Sequence, residues 1–175
     1  MWDKLTRKVI FLYLYNILFW DNLDLVAEKV EIATDNNIPG LMESDPNELI
    51  NIDDLKIYSL DSDLKDIPKK FIEDNLGLFK QNQARFETIL KPLLSNWGQT
   101  YLIVKAILFT FLLELDYLKN PQNKTTKDDE VSTTDTDDNS QLIGKYLRLS
   151  QEYGNSQSVA VIHAVLAKIF DSKNS

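Results

Sequence analysis

The sequence predicts an all-α protein with about seven helices, because apolar residues recur at helical spacing along most of it. No stretch alternates apolar and polar residues convincingly enough to predict a strand. Only 5 Gly and 5 Pro occur in 175 residues, too few for a fold built on many tight turns. Hydrophobic residues make up 43% of the chain and charged residues 26%, which is typical of a globular protein that buries a core.

Two helices are predicted in the N-terminal part of the chain. Val9 to Trp20 is apolar almost all round, as in a helix buried on most sides. A second helix is predicted from Asp21 to about Thr34, ending at the turn-forming residues 36–40. Residues 41–66 are acidic and weakly periodic, and predict at most one short helix, around 46–55.

Three helices are predicted in the middle of the chain. Pro68 suits the first turn of a helix that runs to about Phe79. A second stripe follows at positions i, i+3, i+4, i+7 and i+8, formed by Phe86, Ile89, Leu90, Leu93 and Leu94. Tyr101 to Leu118 predicts a central, buried helix.

The C-terminal part begins with a polar segment and ends in two helices. Residues 119–141 contain almost nothing apolar, so we expect a flexible insertion that cannot repay the entropy of ordering. The next helix presents an apolar face from Leu142 to Tyr153 and ends at Gly154. Ser158 is the predicted N-cap of the last helix.

Composition disfavours most enzyme chemistry. The chain has no Cys and one His, which removes thiol nucleophiles, disulfides and multi-ligand zinc sites. It has no phosphate-binding loop, dinucleotide motif or hydrolase elbow, and His163 fits a structural role beside the last apolar stripe. We therefore expect no catalysis, metal or cofactor. The apolar stretches are too short to span a membrane, and no signal cleavage site follows the first, so the expected location is cytoplasmic.

Charge restricts where a nucleic acid could bind. The net charge of −8 repels nucleic acid, so any such site must be a local basic patch. The candidates are Lys4, Arg7 and Lys8, just before the first apolar helix. Basic residues at a helix N-terminus can hold phosphates through side-chain charge and through unpaired backbone N–H groups.

Four blocks of sequence, in order, resemble the NusB family of bacterial transcription antitermination factors. The first is the run from Arg7 to Tyr15, which is similar to the family's opening helix. The others are Lys91-Pro92 with Asn96-Trp97, Val104 to Leu108 with Glu114-Leu115, and Leu142 to Lys168. The resemblance spans nearly the whole chain, and it rests on the order and spacing of mostly apolar motifs.

The resemblance implies a fold and a function. The fold would be one NusB-like domain over residues 1–175, with two packed helical bundles at about 1–80 and 81–175. The function would be binding of boxA-type single-stranded RNA together with the ribosomal protein NusE, in the RNA polymerase antitermination complex. Lys4, Arg7 and Lys8 would contact RNA, and Tyr15 would lie at the NusE interface.

Two alternatives stay open. A helical protein-interaction module of the same fold, with weakened or lost RNA binding, suits the net charge of −8 and the short basic start. The NusB-like domain that precedes some RNA methyltransferases is the other, although we expect no cofactor-binding domain after Ser175. If RNA binds away from Lys4, Arg7 and Lys8, the next candidate position is near Lys145 and Arg148.

Overall fold

The computed structural model describes residues 2–33, 67–119 and 135–171. All regular structure in these residues is helical, which confirms the all-α prediction. The five α-helices are α1 (Lys4–Ala33), α2 (Lys69–Leu90), α3 (Leu102–Lys119), α4 (Asp135–Tyr153) and α5 (Ser156–Asp171). Two single 3₁₀ turns, Lys91–Leu93 and Trp97–Gln99, connect α2 to α3. The short helix predicted around 46–55 lies outside the described residues.

The α3 helix is the centre of the fold, as predicted. Every residue from Ala106 to Leu115 is buried, and α3 contacts all four other α-helices. A helix that is apolar on all sides needs neighbours all round, because each exposed face would leave apolar surface in water. The one charged side chain in this buried stretch is Glu114.

The predicted helix boundaries in the first half of the chain need correction. The two helices predicted in the N-terminal part form one continuous helix, α1, which passes through Asp21. The helices predicted from Pro68 and from Phe86 likewise form one helix, α2, which includes residues 80–85. Polar residues that face solvent do not break a helix. The α2 helix ends at Leu90, before the predicted stripe does, because Pro92 has no N–H to donate. The predicted subdomain boundary near residue 80 falls inside α2, and that division stays a prediction.

The predicted flexible insertion 119–141 also needs correction at its ends. Lys119 is the last residue of α3, and α4 begins at Asp135, so residues 135–141 are helical. The first buried apolar residue of α4 is Leu142. Once the helix is anchored there, extending it towards its N-terminus adds a hydrogen bond for each residue that is fixed. Residues 120–134 lie outside the described residues.

A tight connection joins α4 to α5. The N–H of Gly154 donates to the Ser150 carbonyl at 2.8 Å, and a Cβ at Gly154 would meet that same oxygen at 2.8 Å. Only glycine fits this approach without a shift of the neighbouring atoms. Asn155, and not the predicted Ser158, caps α5, since its Oδ1 accepts from the Ser158 N–H at 2.8 Å. The connection fixes the position of the last turn of α4.

Candidate nucleic-acid interface

The first two turns of α1 lie beside the C-terminal half of α4, and a groove of about 490 Å³ separates them. Five basic and two acidic side chains line it, together with two apolar ones. The lining residues are Trp2, Asp3, Lys4, Arg7, Lys8, Lys145, Arg148, Leu149 and Glu152. A protein with a net charge of −8 therefore carries a locally basic groove.

Arg7, which lines the groove, belongs to a buried polar network. Arg7 donates from Nε and Nη2 to the two carboxylate oxygens of Glu114, at 2.7 and 2.6 Å. The Tyr146 hydroxyl donates to the same carboxylate at 2.7 Å, and Nη2 of Arg7 also donates to the Trp2 carbonyl at 3.0 Å. The network joins α1, α3 and α4, with the two charged side chains only 7% and 2% exposed.

Burial and hydrogen bonding determine whether Arg7 and Tyr146 of this network are charged. Burial lowers the pKa of Arg7, but the hydrogen bonds and charge of Glu114 outweigh it and leave that pKa raised. Burial and the Glu114 carboxylate both raise the pKa of Tyr146 well above its ordinary value. Arg7 is therefore a cation that Glu114 neutralises. Its position indicates a role in holding the groove together, in contrast to the exposed lysine of the same helix, Lys4.

The start of α1 is occupied by the carboxylate of Asp3. Its Oδ1 accepts from the Thr6 N–H at 2.7 Å, and this bond lowers the pKa of Asp3. The sequence predicted that unpaired N–H groups at this helix end could bind phosphate. For Thr6 that prediction is wrong, because an N-cap carboxylate already satisfies its N–H. The same carboxylate places a negative charge at this helix end, which disfavours a phosphate there.

The structure brings together the two basic clusters that the sequence placed far apart. Lys145 and Arg148 are exposed on α4 and face the groove that Lys4 and Lys8 line from α1. Lys4, Lys145 and Arg148 form no ion pair with any residue that the structure describes. These three groove cations are therefore available to bind an anion.

Lys8 is the fourth lysine or arginine of the groove that reaches solvent. Its Nζ donates to Oε1 of Glu152 at 2.8 Å and lies 5.5 Å from the centre of the Tyr153 ring. The hydrogen bond raises the pKa of Lys8 and lowers that of Glu152. Both side chains remain partly exposed, at 29% and 41%.

Tyr15 lies outside the groove, farther along α1. Its ring is half-buried and contacts Phe11 at 6.3 Å and Phe19 at 6.4 Å between ring centres. Phe11 in turn contacts Tyr153 of α4 at 4.9 Å. Phe19, 39% exposed, extends this row of rings towards solvent. The Trp20 ring continues the row, with its centre 5.8 Å from that of Phe19, and we call Tyr15, Phe19 and Trp20 the aromatic ridge.

Sequence reasoning missed two residues of the site, Glu114 and Trp2. A single acid inside a long apolar helix indicates a buried charge that needs a partner, and Arg7, just before the apolar run that starts at Val9, is the corresponding base. That pair could have been predicted. Trp2 packs on Phe71 and Tyr117, with ring centres 6.2 and 6.4 Å apart, and no local pattern in the sequence indicates this.

The described part of the chain contains no cluster of metal-ligating side chains. His163 is exposed on α5, outside the groove lining. Within residues 2–33, 67–119 and 135–171, no helix combines the length and apolar character that crossing a bilayer requires.

Fold and groove together define an all-α protein with a local basic groove between its first and fourth α-helices. No protein-family model, curated protein sequence or solved structure matches the chain.

Proposed function

We propose that this protein is an RNA-binding transcription antitermination factor that binds boxA-type leader RNA together with NusE. The observation that carries the proposal is the groove, which is lined by Lys4 of α1 and by Lys145 and Arg148 of α4. Basic side chains from two distant parts of the chain line one surface of an otherwise acidic protein. The resemblance of four sequence blocks to the NusB family supplies the identity of the RNA and of the partner.

The charge of the groove supports RNA binding of moderate strength. Phosphate contacts dominate the affinity of proteins for nucleic acid, and each contact to a single strand contributes a slope of about −0.7 in log K against log salt. Three free cations therefore predict a slope near −2. Because the rest of the surface is acidic, RNA binding by this protein alone should be weak. A second protein that contacts the same RNA would raise the overall affinity.

A binding measurement with RNA and NusE tests the proposal. We expect a boxA-type oligonucleotide to bind more tightly than a scrambled one of equal length, and the preference to grow when NusE is present. Filter binding at several salt concentrations, with and without NusE, measures both. Equal binding of the two RNAs in the presence of NusE would contradict the proposed function.

A second function is favoured by the pairing of two basic residues within the protein. Arg7 and Lys8 are bound by Glu114 and Glu152, so that of the three predicted RNA-contacting residues only Lys4 has no ion pair within the described part of the chain. A protein-interaction module with weakened or lost RNA binding would have this arrangement. It would bind NusE with no RNA preference, so the same measurement separates the two functions.

Tyr15 provides a test of the partner. Its half-buried ring and its place on the aromatic ridge suit a contact between proteins. We expect Tyr15→Ala to weaken NusE binding about tenfold or more, which is about 1.4 kcal/mol. Tyr15→Phe keeps the ring and serves as the control, so that the two variants separate ring packing from the hydroxyl. Isothermal titration with NusE measures the affinities, and unchanged binding by a folded Tyr15→Ala variant would remove Tyr15 from the interface.

A further inference from the structure

An ion pair joins Lys8 and Glu152, which both line the groove. It joins residues 144 positions apart in the chain, with 2.8 Å between Nζ and Oε1. Glu152 lies on the α4 face that also carries Lys145 and Arg148, at i+7 and i+4 from them. Lys4, one turn before Lys8, also acts electrostatically on Glu152. A carboxylate therefore stands among the cations that would contact RNA.

The ion pair between Glu152 and Lys8 is not needed to hold α1 against α4. The buried network of Arg7, Glu114 and Tyr146 already joins α1 to α4, and the Phe11 and Tyr153 rings meet beside it. An ion pair between partly exposed side chains adds little to such a contact. A carboxylate oxygen and a phosphate oxygen accept the same hydrogen bond from a lysine ammonium. Glu152 thus already neutralises the Lys8 charge that an RNA phosphate would otherwise meet.

We propose that Glu152 competes with RNA phosphate for Lys8, so that RNA must displace this carboxylate to gain its fourth groove cation. This inference rests on the proposed RNA-binding function and adds to it a residue that limits affinity. In the free protein the groove offers three unpaired cations, Lys4, Lys145 and Arg148. When Glu152 is removed, Lys8 becomes the fourth. The competition is independent of RNA sequence, because phosphate contacts carry no sequence information.

The test compares Glu152→Gln with a matched control. Glu87→Gln also removes one negative charge from an ion pair with a lysine, since Glu87 bonds Lys91 at 2.9 Å, but it lies outside the groove. Affinity is measured for a boxA-type and a scrambled single-stranded RNA between about 0.05 and 0.5 M salt. One additional phosphate contact predicts a slope steeper by about 0.7 and binding about fivefold tighter near 0.1 M salt. Glu87→Gln should change affinity less than twofold and leave the slope unchanged.

A second variant tests whether the steeper salt slope of Glu152→Gln depends on Lys8. In a Lys8→Ala background, Glu152→Gln should no longer steepen the slope, since no lysine is released. Thermal unfolding confirms that each variant is folded. The inference is overturned if Glu152→Gln binds both RNAs with wild-type affinity and slope, or if Glu87→Gln gives an equal gain.

The outcomes also separate this inference from the proposed function. A steeper slope on both RNAs with no preference for boxA supports the competition and contradicts the boxA function. A boxA preference with no change in slope supports the function and overturns the competition. If neither the wild type nor Glu152→Gln binds either RNA at 0.05 M salt, even with NusE present, both proposals are overturned.

Discussion

Glu114→Ala is expected to destabilise the fold by about 3–5 kcal/mol, the usual effect of removing one partner of a buried ion pair. The carboxylate accepts two hydrogen bonds from Arg7 and one from Tyr146, and its side chain is 2% exposed. Without it, the Arg7 charge is buried with no anion beside it, and the Tyr146 hydroxyl loses its acceptor. Chemical denaturation, with the midpoint and slope fitted together, measures the loss.

A double variant identifies the origin of this loss. Arg7→Met with Glu114→Leu removes both charges and keeps apolar volume, and such replacements of buried ion pairs are often nearly neutral for stability. We expect the double variant to be more stable than Glu114→Ala. If the double variant is as unstable as the single one, the loss comes from packing or from the Tyr146 hydroxyl that both variants leave without its acceptor, and the uncompensated charge of Arg7 is not its cause.

The buried network also determines how the RNA affinity of an Arg7 variant should be interpreted. Arg7→Ala removes a charge near the groove, but it also leaves Glu114 without its cation in the core. A loss of RNA affinity in that variant would therefore combine a structural effect with any loss of charge. Lys4 is the better probe, because it is exposed and belongs to no described ion pair.

Much of the fold could be predicted from the sequence because its helices have apolar faces of the right period. The central burial of α3 follows from an apolar run with a single charge, Glu114, inside it. Helix boundaries were harder to predict, since the solvent-facing polar residues within α1 and α2 look like breaks between helices. Gly154, which ends a helix for a steric reason, was a reliable marker, whereas the predicted apolar stripe ran past Pro92, beside which α2 ends.

The site could be predicted only in part. Lys4, Lys8, Lys145 and Arg148 all stand out as basic residues at helical spacing, but the sequence does not state that α1 and α4 lie side by side. That proximity depends on tertiary packing and on the long-range hydrogen bonds that Arg7 and Tyr146 both donate to Glu114. The pairing of Lys8 with Glu152 depends on it too.

The largest expected effect on RNA binding comes from the three unpaired groove cations. The triple change of Lys4, Lys145 and Arg148 to Ala removes three phosphate contacts, which predicts a slope flatter by about 2 and a loss of about 100-fold in affinity near 0.1 M salt. All three side chains are exposed, so the variant should fold with nearly wild-type stability. It should still bind NusE, because the aromatic ridge with Tyr15 lies outside the groove. Filter binding of boxA-type RNA over a range of salt, with NusE titration as the fold control, measures each part.

A charge-matched variant shows whether the groove or the whole surface matters. Lys69, Lys70 and Lys168 are exposed lysines on α2 and α5 that do not line the groove, and changing them to Ala alters the net charge by the same amount. If binding depends on long-range charge alone, the two triple variants lose equal affinity. If the groove holds the phosphates, the control keeps the wild-type salt slope, because screening weakens charges that lie more than about 10 Å from the RNA at 0.1 M salt. Wild-type affinity and slope in the groove variant would mean that the RNA binds elsewhere on the protein.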